Sequence, residues 1–175
     1  VSAFDTTGIN NITAEVTVAG AIAPTLKSIL VESGLQRNPA TGQAAGHAPI
    51  MHKMLRYPFA QAVGGTLPVT LPFGPTNGAI IKRIHVEHTG NMTGLTVKQD
   101  GLVISESTTA ENEFSQTRLG RVPQANLYTL DFVLNGEMDK ALDTRDARSM
   151  EWLLTFSAAD SGYIMVEYMD TLGNL

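Results

Sequence analysis

Apolar and polar residues alternate with a period of two in two stretches near the end of the chain. In Leu127–Leu134, Tyr128, Leu130, Phe132 and Leu134 fall on one face and Thr129 and Asp131 on the other. In Ser149–Ser157, Met150, Trp152, Leu154 and Phe156 oppose Glu151, Thr155 and Ser157. A period of two is that of a strand with one face in a core, as in antiparallel sheets. The same texture, broken by turn-forming residues, predicts further strands at Met54–Ala62, Leu67–Leu71, Ala79–Thr89, Leu95–Gln99, Leu102–Glu106, Glu113–Leu119 and Gly162–Met169. Gln99-Asp100-Gly101-Leu102 is the cleanest hairpin, because Asp-Gly readily takes the positive φ angles of a two-residue turn. So many short strands in so short a span predict an all-β sandwich or closed barrel.

Before these strands the pattern is weaker. "TTGINNITAEVTVAGAIA" allows one short strand, where Val16 and Val18 alternate with small or polar residues. "APTLKSILVESG" predicts a short helix near 24–33, with Pro24 in the first turn, Gly34 at the end, and Leu26, Ile29 and Leu30 on one face. So short a helix needs something to dock on. Its stripe covers either the domain's own core or a neighbouring molecule. The following "LQRNPATGQAAGHAPIMH" reads as a loop. "AVGGTLP", with Gly64 and Gly65, reads as a flexible joint, so the expected organisation is an arm over 1–65 and a barrel over 66–175.

Composition narrows the function. The chain has 175 residues, 43% of them hydrophobic, enough for a substantial core. It has no cysteine and therefore no disulfide or thiolate chemistry. A net charge of −5 argues against a basic nucleic-acid binder. No run of about 18 apolar residues suggests a membrane span, and the first residues lack a signal-peptide pattern. Charge divides unevenly: Val1–Thr66 holds four Lys/Arg and three Asp/Glu, Leu67–Leu175 eight and fourteen.

Candidate chemistry is sparse. In "IHVEH", His85 and His88 are three apart and point to opposite faces of a strand, so they do not share an ion; His85 and Glu87 share a face but supply two ligands at most. His47 and His52 lie in the loop-like segment, and the His-x-His pattern of metal-binding cupins, with its downstream Glu and His, is absent. No nucleophile motif or phosphate-binding loop occurs. "DTRDAR" gathers Asp143, Arg145, Asp146 and Arg148. Arginine keeps neighbouring carboxylates ionised, which is wrong for a general acid but right for a two-pronged guanidinium–carboxylate fastening. That fastening lies within the domain or across a subunit boundary.

"LPVTLPFGPTNGAIIKRIHVEHTGNMTG", followed by "LYTLDFVLNGEMDKALDTRDARSMEWLLTFSAADSGYIMVEYM", resembles the jelly-roll capsid proteins of tail-less icosahedral phages with an internal membrane, the PRD1–adenovirus lineage. The resemblance rests on a long early strand entered through a Pro/Gly turn, and on a late strand–charged loop–strand–turn–strand. It covers roughly residues 66–170. It implies a single eight-stranded antiparallel jelly-roll barrel with an N-terminal arm holding one short helix. One barrel where major capsid proteins often have two points to single-barrel members, such as the smaller major capsid protein of that lineage, or to a vertex protein. The implied function is a structural protein of a virion capsid, assembled in the host cytoplasm, with no catalytic residue, metal or cofactor. Implied partners are further copies, other capsid proteins and, through the arm, an internal membrane surface, without sequence-specific nucleic-acid binding. The subunit-contact candidates are Leu26, Ile29, Leu30, Asp143, Arg145, Asp146 and Arg148. A receptor- or carbohydrate-binding β-sandwich, on a spike or vertex, is the alternative; a metal-dependent cupin-type enzyme is a third reading.

Overall fold

A computed structural model describes residues 50–74 and 77–171, together with positions 13, 16, 25 and 27. The helix expected near 24–33, with Leu26, Ile29 and Leu30, lies outside the described residues. The β part is a compact unit from Ile50 onward. Among the described residues its strands are β1 (Ile50–Gln61), β2 (Gly65–Val69), β3 (Ile80–Glu87), β4 (Met92–Gln99), β5 (Leu102–Thr108), β6 (Leu127–Asp131), β7 (Leu142–Asp143), β8 (Met150–Phe156) and β9 (Asp160–Thr171). One α-helix among the described residues, α1 (Thr109–Arg118), links β5 to β6, and a single 3-10 turn spans Met138–Lys140.

The strands form two antiparallel sheets, ordered β1-β9-β3-β6 and β2-β8-β4-β5, with the short β7 added to β3. Most strands adjacent in sequence thus lie in different sheets, the β4–β5 hairpin and the β6–β7 step excepted; this is the connectivity of a jelly roll, and β7 is an extra pairing beyond the expected eight. Between the sheets lie apolar faces that alternation predicted, Trp152, Leu154 and Phe156 from β8 and Tyr128 from β6, joined by Ile164, Val166 and Tyr168 from β9. Phe59 stacks on Phe156 with centroids 5.4 Å apart, and Phe73 meets Tyr168 edge-on at 4.9 Å. Each such side chain contributes about 1.5–3 kcal/mol through burial.

The Asp-Gly hairpin forms as expected. Asp100 (φ 53°) and Gly101 (φ 80°) make the two-residue link between β4 and β5.

Three expectations change. First, Ile50–Gln61, placed in the arm, pairs with β9 along its whole length, so the sheet begins before 66. Gly64 and Gly65 are accordingly no joint between arm and barrel. They turn the chain from β1 into β2, where Gly65 has φ 134° and a Cβ on Gly64 would lie 2.5 Å from the Ser157 carbonyl oxygen. Second, Glu113–Leu119 is no strand but the end of α1 with its C-cap, Leu119. Thr108 caps α1 by accepting from the Glu111 amide, and the Glu111 carboxylate accepts in return from the Thr108 amide at 2.8 Å. Asn112 and Gln116, one turn apart, form the helix's buried side, so no apolar stripe marks it as a helix. Third, strand β6 ends at Asp131. The Asp131 carboxylate accepts from the Val133 amide at 2.9 Å and the chain turns, so that Phe132 still packs against the core but Val133, not expected inside, is buried as well.

Candidate subunit-contact site

The "DTRDAR" loop opens as β7, where Asp143 and Leu142 pair with Ile80 and Ile81. Its fastening residue is one the sequence reading passed over. Thr144 is fully buried. Its hydroxyl accepts from the Ala79 amide at 3.0 Å and donates to the Ala79 carbonyl at 2.9 Å, and its own amide donates to that carbonyl at 2.9 Å. Ala147 is buried too, so the four charged residues point outward from a pinned backbone.

Arg145 closes on Asp143 in the expected fork, Nε to Oδ1 at 2.9 Å and Nη2 to Oδ2 at 2.5 Å. The Arg145 hydrogen bond holds the Asp143 carboxyl below its ordinary range. The pair is exposed and lies within one loop. Arg148 is held through its backbone: its amide and that of Ser149 both donate to the Asp100 carboxylate at 2.8 Å, tying the loop to the β4–β5 hairpin. The side chains of Asp146 and Arg148 are exposed and enter no ion pair among the described residues.

A larger charged array lies on the outer face of the β1-β9-β3-β6 sheet. Lys82 Nζ meets Glu167 Oε1 at 2.6 Å; Arg83 bridges Glu167 Oε2 at 2.9 Å and Asp131 Oδ2 at 2.8 Å; Arg121, beyond α1, closes on the same Asp131 oxygen. A second Arg121 nitrogen donates to the Leu134 carbonyl at 3.1 Å. Alternating signs thus run from β9 across β3 to β6 and the segment after α1. Burial pushes Glu167 up, but the hydrogen bonds from Lys82 and Arg83 outweigh it and hold its carboxyl below the ordinary range. The sequence hid this array behind a β-bulge. The register shifts between Ile81 and Arg83, so Ile81 and Ile84 are both buried while the consecutive Lys82 and Arg83 both reach Glu167.

His85 and His88 diverge as expected. His85 Nδ1 lies 3.0 Å from the Thr129 hydroxyl on the outer face. His88 turns into the β3–β4 connection, where Nδ1 accepts from the Gly90 amide at 3.0 Å, and stands 3.8 Å from Asp160. Burial pushes both imidazoles down. Among the described residues no group of three or more His, Asp or Glu side chains is placed to hold a metal ion. The site can therefore orient, fasten and present charge.

Similarity to known proteins agrees with this architecture. The chain is similar in fold to the major capsid protein P2 from bacteriophage PM2, with a TM-score of 0.63 and 18% identity over 74% of this chain and 48% of that one. It is similar to the STIV MCP, with a TM-score of 0.56 and 17% identity over 71% of this chain and 42% of that one. The chain thus spans less than half the length of either structure. No match is found among curated proteins. Residues 51–172, the whole of the two-sheet unit, match the model of the viral coat protein P2 C-terminal domain. With the match covering most of its length, the chain belongs to the viral coat protein P2 C-terminal domain family.

Proposed function

We propose that this chain is a structural subunit of an icosahedral virus capsid, resident in the virion and assembled in the host cytoplasm, with no catalytic role. The observation that carries the reading is the coincidence of the coat-protein match, 51–172, with the two-sheet jelly-roll unit. Other coat subunits are its partners.

Residues ahead of β1 act as an arm on neighbouring subunits. Leu26, Ile29 and Leu30 dock there, and the arm is the part that meets an internal membrane surface. The arm is poor in charge, so it can be desolvated at a contact at little expense. At the barrel, the exposed charges of Asp143, Arg145, Asp146 and Arg148 face the next subunit. The double variant Arg145→Ala/Arg148→Ala is expected to weaken assembly while leaving the urea midpoint unchanged. A lowered midpoint with normal assembly would assign these arginines to their own subunit.

Electron microscopy of the purified chain tests the reading as a whole. Capsomers or shells are expected; dispersed monomers at high concentration would remove it.

A further inference from the structure

Among the described residues, two strand edges on opposite flanks of the sandwich carry no further strand, and they are complementary. Strands β5 and β6 end their sheets on one flank: α1 joins them, Asn112 of the helix donates to the Thr129 carbonyl at 2.7 Å, and the Tyr128 hydroxyl lies 2.5 Å from that of Ser107. Strands β1 and β2 end the same sheets on the other flank.

Edge strands are ordinarily guarded by proline, charge or a covering element. Pro58 and Pro68 sit in β1 and β2, and α1 covers β6 at Thr129. Among the described residues, the first half of β5 has no such guard. Leu102, Val103 and Ile104 are consecutive, uncharged and 72, 52 and 41% exposed, and Phe114 of α1, beside the same strand, is 68% exposed. Across the molecule, β1 ahead of Pro58 exposes Ile50 (64%) and Met54 (57%). Charge is matched as well: Ile50–Gln61 holds Lys53 and Arg56 with no carboxylate, whereas Leu102–Arg118 holds Glu106, Glu111 and Glu113 against Arg118 alone.

We propose that coat subunits join flank to flank, the Ile50–Arg56 half of β1 in one copy seated on β5 and α1 of the next. The inference rests on the coat-subunit reading and names the contact through which it works. The contact is heterologous: each copy offers one β1 edge and one β5 edge, so repetition closes a ring or extends a row. Apolar side chains form its centre, backbone groups of the two open edges face one another, and Arg56 lies toward the acidic rim.

The test is a mixing experiment on the full chain. Ile50→Glu/Met54→Glu spoils the β1 edge, and Leu102→Glu/Ile104→Glu spoils the β5 edge. Each variant, shown folded by its urea midpoint, is expected to weaken self-association at least about tenfold. Mixed in equal amounts, the two retain one good junction between them and should sediment as a heterodimer that grows no further. Loss of assembly in only one variant would indicate a self-complementary contact and overturn the proposal. So would wild-type assembly in both, or an unchanged oligomer distribution in which the β5 variant merely exposes residues 1–49 to protease. A wild-type chain that never assembles would instead remove the coat-subunit reading itself.

Discussion

Thr144 and Arg145 stand side by side in the sequence and hold the chain in different ways. The threonine satisfies both the amide and the carbonyl of buried Ala79, whereas the arginine grips an exposed carboxylate in its own loop. Burying a polar group without a partner is the larger penalty, so Thr144→Val is expected to cost about 1–3 kcal/mol in urea denaturation, and an exposed pair contributes little. Glu167 belongs with Thr144. Replacing it with Gln leaves Lys82 and Arg83 under-compensated at a largely covered site, with an expected loss of about 2 kcal/mol. The same reasoning gives a pH profile. His85 and His88 titrate lower in the folded chain than in the unfolded one, so the stability they contribute is complete above about pH 6.5 and is lost as pH falls below it. Glu167 and Asp160 are also depressed; Asp160 does so against burial by accepting from the Thr89, Asn91 and Ser161 amides and the Thr89 hydroxyl. Their contribution is complete above about pH 4 and is lost below it. Urea midpoints should therefore fall in two stages on acidification, and His85→Gln/His88→Gln should flatten the first stage alone.

Elements were legible where the apolar face is also the buried face. Strand β8 alternates from Met150 to Phe156 and is built that way, and the Asp-Gly turn needs nothing but local backbone preference. The misreadings have local causes. Helix α1 buries Asn112 and Gln116, so periodicity of apolar residues could not find it, although Thr108 and Glu111 spell a capping box in "TTAE". Thr108→Ala is expected to destabilise the protein by about 1 kcal/mol and to speed amide exchange across α1. The ion-pair array was hidden for another reason: a bulge moves Lys82 to the outer face, and strand periodicity contains no term for a bulge. Likewise the outward face of β6 reads as polar and solvent-facing, yet Thr129 lies against α1 and the Asp131 carboxylate beneath two arginines.

At the scale of the molecule, the strand orders β1-β9-β3-β6 and β2-β8-β4-β5 place β1 and β5 on opposite flanks, and the ion pairs fasten β9, β3 and β6 within the first sheet. Charge and apolar exposure are then distributed as a repeating contact requires. The two-sheet class and its coat-protein likeness were visible from strand count, turn spacing and the late strand–loop–strand pattern. The open β5 edge was not, because exposure of Leu102–Ile104 depends on which strands lie beside it and no local pattern encodes that. Assembly is the central claim, and sedimentation velocity of the full chain over a rising concentration series tests it most directly. The account predicts a shift from the 18.7 kDa monomer to discrete higher oligomers; a single monomeric boundary at every concentration would contradict it.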